Sequence, residues 1–143
     1  KQKKMGRVFF NTRKNVEEIS AARVLNGNDS GTAFMINQAS AYEITLPLMS
    51  TISDGWNVSF TLSTVGAYAV TIANNTAENT LVGNISTSEI ADTATATLLA
   101  TTAVDEVVFI SGALLGETVS ILSNGTNYFV KGQASAADHI TIS

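Results

Sequence analysis

Few residues in this chain have the type and spacing that chemistry requires. His139 is the one histidine, set between Asp138 and Ile140 in a polar tail. General acid–base work or metal binding would need partners within hydrogen-bond or ligand reach, and the sequence around His139 offers no such pattern. A structural histidine is the expectation there. Asp105-Glu106 and Glu89-x-x-Asp92 are adjacent acids without the closely spaced oxygen donors of a calcium loop. They read as solvated strand ends. Cysteine is absent, which removes disulfides, thiolate catalysis and cysteine metal sites. No phosphate-binding glycine loop, nucleophile elbow or HExxH stretch occurs. The chain reads as a non-enzyme, without a cofactor or a metal.

Charge is the feature that points outward. Seven of the eight Lys and Arg residues lie in the first 23 positions, and the eighth is Lys131. Against Glu17 and Glu18 the leading 23 residues carry +5, while one base against ten acids leaves −9 on the remainder. A basic arm on an acidic body is suited to lying on something else. Its cations alternate with apolar side chains, so the expected binding set is Lys3, Lys4, Arg7, Val8, Phe9, Phe10, Arg13, Lys14 and Arg23. Phosphate neutralisation alone would not call for Val8, Phe9 and Phe10, so a protein surface is favoured over nucleic acid or lipid. Val8-Phe9-Phe10 is too short for a signal-peptide core, and no apolar run approaches the ~20 residues of a membrane helix.

The elements that carry these residues are strands. From residue 31 the apolar positions recur with period two. Tyr42, Ile44 and Leu46 share a face, as do Trp56, Val58, Phe60 and Leu62, and then Tyr68, Val70 and Ile72. Thr93, Thr95 and Thr97 alternate with Ala94, Ala96 and Leu98. Residues 106–110 are apolar on both faces, which predicts a strand sealed by neighbours. Val119 and Ile121, then Tyr128 and Val130, form the arms of a hairpin turned by Asn124-Gly125, where both residues tolerate positive φ. A last short strand covers 139–142. Trp56 alternates with core residues and is expected inside, not as a stacking platform.

The spacing predicts an all-β fold, an antiparallel sandwich or barrel of about eight to ten short strands. A basic arm at 1–30 precedes the body at 31–143. One short helix is the candidate element of the arm, with Asn15 capping 16–25, Glu18 completing a capping box and Asn26-Gly27 ending it. The alternative is an extended arm that pairs with another subunit's sheet edge.

Two stretches carry a family resemblance. Tyr42-Glu-Ile-Thr-Leu-Pro47, Asp54-Gly-Trp-Asn-Val-Ser-Phe60, Ala69-Val-Thr-Ile72 and Leu81-Val-Gly83, followed by the strand and hairpin from Val119 to Val130, resemble a β-module of tailed-bacteriophage structural proteins. Asn124 stands where that module commonly has Asp, and Tyr128 where it commonly has Trp. The resemblance covers about residues 40–131 and leaves the arm outside. It implies a virion protein, commonly a homotrimer, and no catalytic residues. Such modules occur in capsid decoration (cement) proteins and in tail fibres. The compact length and the basic arm favour a decoration protein on the outer capsid surface, its arm on the major capsid protein. The other reading is a tail or tail-fibre module that contacts host surface glycans.

Overall fold

The computed structural model describes residues 14–75, 80–87, 97–98 and 105–143. These residues form a two-sheet sandwich of twelve strands, two of them only two residues long, with two 3-10 turns. The strands are β1 (Asn15–Ile19), β2 (Arg23–Val24), β3 (Thr32–Asn37), β4 (Tyr42–Thr45), β5 (Asn57–Thr64) and β6 (Val70–Ala73). They continue as β7 (Leu81–Thr87), β8 (Thr97–Leu98), β9 (Glu106–Phe109), β10 (Thr118–Ser123), β11 (Tyr128–Ala134) and β12 (Ile140–Ile142). One sheet has the order β1-β3-β5-β10-β11-β7-β8 and the other β12-β9-β6-β4-β2. The all-β sandwich expected from period two is the observed architecture.

Its strand directions correct the expectation of an antiparallel fold. The first six strands alternate between the two sheets, so β1, β3 and β5 lie side by side in one sheet and β2, β4 and β6 in the other. Neighbours in a sheet are therefore separated by a full excursion through the opposite sheet and arrive pointing the same way. β1–β3, β3–β5, β2–β4 and β4–β6 are all parallel, as is β7–β11. Parallel strands need a long crossover, and here the strand in the facing sheet supplies it. Antiparallel pairing dominates the second half: β5–β10, the β10–β11 hairpin, β6–β9 and β9–β12.

The alternation of side chains sets the core. Phe34, Ile36, Phe60, Leu62, Val119, Ile121, Tyr128 and Val130 from one sheet meet Ile44, Val70, Ile72, Val107, Phe109 and Ile140 from the other, all buried. Phe34 and Phe60, neighbours in register, stack with centroids 5.6 Å apart. Trp56 is buried, as expected, edge-on to Tyr128 at 5.7 Å, and its indole N–H donates to the Asn26 carbonyl. The Tyr128 hydroxyl donates to the Pro47 carbonyl at 2.7 Å, which joins β11 to the segment after β4. Tyr68, read as a strand residue, precedes β6 and is exposed. The strand residues expected at 93–96 lie outside the described residues.

The Asn124-Gly125 turn forms as read. Gly125 has φ +81°, and the Asn124 side-chain oxygen accepts from the amides of Thr126 and Asn127. A different glycine is set by close approach. A Cβ on Gly83 would stand 1.9 Å from the Val130 carbonyl oxygen, at the parallel pairing of β7 with β11. Backbone cannot yield as a side chain tip can. Gly83→Ala is expected to destabilise the fold by about 2–3 kcal/mol, read as a lowered denaturation midpoint. An unchanged midpoint would mean that the two strands do not approach this closely.

Candidate functional site

Of the nine residues expected to form a binding arm, Lys3, Lys4, Arg7, Val8, Phe9, Phe10 and Arg13 lie outside the described residues. The remaining two are in the sandwich, and they have separate roles. Residues 15–19 form no helix. They pair as β1 along the edge of β3, and 23–24 pair as β2 along the edge of β4. The stretch 14–30 thus belongs to the body, not to an arm, and its edge partner is the chain's own sheet. The physical reason is burial on two sides. Ile19 and Leu25 both reach the core, which two strands in opposite sheets allow. Asn26-Gly27, read as a helix end, instead opens a 3-10 turn at Gly27–Asp29 with a reciprocal capping box between Asn26 and Asp29.

Arg23 is not available to a partner in the way expected of an arm residue. Its guanidinium lies 5.1 Å from the centre of the Phe34 ring and is paired with Glu17 on one side and with Asp29, at 2.7 Å, on the other. The hydrogen bond to Glu17 raises its pKa against the opposing effect of burial, with Asp29 adding to the rise. The arrangement covers the Phe34 ring on its β1 side, where the residue opposite Phe34 in register is the exposed Glu17. A second lock holds β1 in place: the Tyr42 hydroxyl, on the opposite sheet, lies 2.6 Å from the Ile19 carbonyl oxygen. Burial raises the pKa of this phenol, which favours its neutral form as donor. Arg23→Gln should lower thermal stability by about 1–2 kcal/mol, from the cation–π and paired-charge contacts, a loss measurable by denaturant titration.

Lys14 is on the outside. The registers across the seven-stranded sheet place Val16, Ala33, Ser59, Ser120, Lys131 and Asn84 in one outward row. The adjacent row holds Asn57, Leu122, Phe129 and Val82. Small side chains in the middle and large ones beside them leave a groove of about 350 Å³, lined among others by Lys14, Gly31, Asn57, Ser59, Ser120, Leu122, Phe129 and Lys131. Among the described residues no Asp or Glu lines it. Phe129 is 42% exposed and Leu122 49%. Neither lysine is in an ion pair among the described residues. The alternation read from sequence identified the inward Tyr128 and Val130; it gave the outward Phe129 and Lys131 no role, because only the register shows which strands flank them.

His139 is structural in its contacts. Its Nδ1 lies 2.7 Å from the Glu117 carboxylate, which also accepts from the Ser135 amide at 2.8 Å and from the Ser135 hydroxyl. Ser135 Oγ and Glu117 Oε1 share the same ring nitrogen of His139. A nucleophile–base–acid relay needs the hydroxyl and the acid on opposite ring nitrogens, so this cluster ties β10, β11 and the start of β12 together. Glu117 is buried. Burial alone would raise its pKa, but the hydrogen bonds from Ser135, and then from His139, bring it below the ordinary value. Among the described residues no group of three or more His, Cys, Asp or Glu is placed to hold a metal ion.

Comparison of the chain with protein-family models, with curated proteins and with solved structures finds no match.

A pKa lowered by folding means that Glu117 stabilises the native state fully above the ordinary carboxylate range, near pH 4.3. That contribution is lost as pH falls through the lower native value. Glu117→Gln should cost about 1–3 kcal/mol at pH 7, and the gap to the parent should shrink below about pH 4. A pH-independent gap in urea titrations would show that the charge of Glu117 is not what holds the cluster.

Proposed function

We propose that the chain is a structural virion protein, a capsid decoration protein. In this reading it attaches to major capsid subunits on the outside of a phage head through a leading segment now confined to residues 1–13. The observation that carries the reading is how the bases are distributed. Residues 1–13 hold five bases and no acid, whereas 14–143 hold three bases and twelve acids. Of those three, Arg23 is neutralised internally by Glu17 and Asp29. The cationic, apolar-interleaved sequence thus precedes an edge strand of an acidic sandwich. Steering by charge and anchoring by Phe9 and Phe10 would act together on an acidic, pocketed protein surface. The resemblance of residues 40–131 to phage structural β-modules supports the virion setting and a homotrimer. Many such attachments on one particle let modest single contacts sum to firm retention.

Phe9→Ala with Phe10→Ala should abolish occupancy on purified particles while leaving the thermal unfolding of the body unchanged. Raising salt should weaken attachment of the parent protein. Quantitative mass spectrometry of particles should find hundreds of copies. A few copies per particle, or full occupancy by the double variant, would overturn the decoration role; low copy number would favour a tail module.

A further inference from the structure

The groove on the outer face of the seven-stranded sheet is not used by the proposed attachment, and its chemistry selects a ligand. Its floor is made of small hydroxyl-bearing residues, Ser59 and Ser120, adjacent in register on β5 and β10. Neither hydroxyl bonds another described residue. Asn57 adds an amide, Phe129 an exposed aromatic ring, and Lys14 and Lys131 the charge. In a body with twelve acids these two lysines line a concavity that no acid of the described residues enters.

We propose that this groove binds an acidic sugar, a uronic- or sialic-type residue of a larger glycan. The C–H face of a pyranose would pack on Phe129, its hydroxyls would bond Ser59, Ser120 and Asn57, and its carboxylate would meet Lys131 or Lys14. A volume of about 350 Å³ suits a ligand of one or two rings. Three alternatives fit less well. Nucleic acid carries a long array of phosphates, and two lysines on a strongly acidic body would hold it poorly. An acidic peptide binds a sheet best by adding a strand to a free edge. Here the central strands β3, β5, β10 and β11 are each paired on both sides, leaving no backbone to add to. The chain's own residues 1–13 carry +5 and would be repelled by the lysines.

The test is titration of the isotope-labelled full chain with trigalacturonate, with neutral galactotriose and oligoglutamate as comparators. Trigalacturonate should shift the amides of Ser59, Ser120, Phe129 and Lys131, and galactotriose should bind at least about tenfold more weakly, as expected for loss of a charge-assisted hydrogen bond. Lys131→Gln and Phe129→Ala, both at exposed positions, should each weaken binding by about tenfold with an unchanged melting temperature. Ser120→Phe, which fills the groove, should abolish binding. The proposal is overturned if no shifts appear at millimolar trisaccharide. It is also overturned if the neutral sugar binds equally well, or if oligoglutamate binds the same residues as tightly. Neither result bears on particle occupancy, so this site and the attachment role succeed or fail separately.

Discussion

The fold depends on one constraint: through its first six strands the chain crosses to the facing sheet after every strand. Each sheet is then assembled from alternate strands, which come out parallel. Among the described residues it also makes β1 and β2 the edge strands at one end, where the apolar interior between the sheets needs cover. Repeat-like stacks meet this problem with polar caps. Here the cap is a single guanidinium held over Phe34 by two carboxylates. The cation covers the ring while it stays paired with both carboxylates, so Phe34 is closed off without exposing an aromatic surface. Tyr42 adds a bond from one sheet to the terminal strand of the other, so the two edges at this end are held together.

That cap changes the meaning of the charge pattern. Counted along the sequence, Arg23 and Lys14 belong with the bases before them. Sorted by their surroundings, the same residues do three things: Arg23 closes the core, Lys14 lines an outer groove, and the bases at 1–13 precede the sandwich. The acids divide as well. Glu17 and Asp29 are committed to Arg23 and Glu117 to the β10–β12 cluster, whereas Glu43 is exposed on the five-stranded sheet. The two sheet faces consequently differ. One presents lysines around a trough of small residues, and the other presents Glu43, Thr45, Thr71 and Thr141 on its outward rows.

Burial was the legible part of the sequence. Period two placed Ile44, Leu46, Val58, Phe60, Val70, Ile72, Val119 and Val130 inward, and each is buried. Asn124-Gly125 marked its turn because φ and side-chain bonding are local properties. Beyond the β10–β11 hairpin marked by that turn, pairing was not legible, since alternation says which way a side chain points and nothing about which strand lies beside it. The antiparallel expectation failed on that point. The helix at 16–25 failed for a related reason. A capping-box pattern around Asn15 and Glu18 is a local signal of modest energy. It was outweighed by a sheet edge that pairs residues 15–19 with β3 and by the burial of Ile19 on β1 and of Leu25 just beyond β2. The groove was invisible for the same cause as the parallel pairing, because Gly31, Ser59 and Ser120 are far apart in sequence and become neighbours only through register.

The position of β1 bears on how an attached chain would carry load. If residues 1–13 are held by a surface, tension enters the body at Lys14 and runs into a five-residue strand paired in parallel with β3. A pull along the strand axis loads the bonds of that ladder together, whereas a pull across it would open them one after another. The far end of the strand is where Ile19 is fixed by Tyr42, and Glu18 accepts from the Asn37 side chain at 2.9 Å. Both restraints lie beyond most of the ladder bonds, so strand slippage must also break contacts at its far end. A two-residue strand such as β2 could not serve in this place. The longer edge strand follows directly on residues 1–13, and the shorter one is fixed by Arg23 from inside. This ordering suits the proposed attachment through residues 1–13.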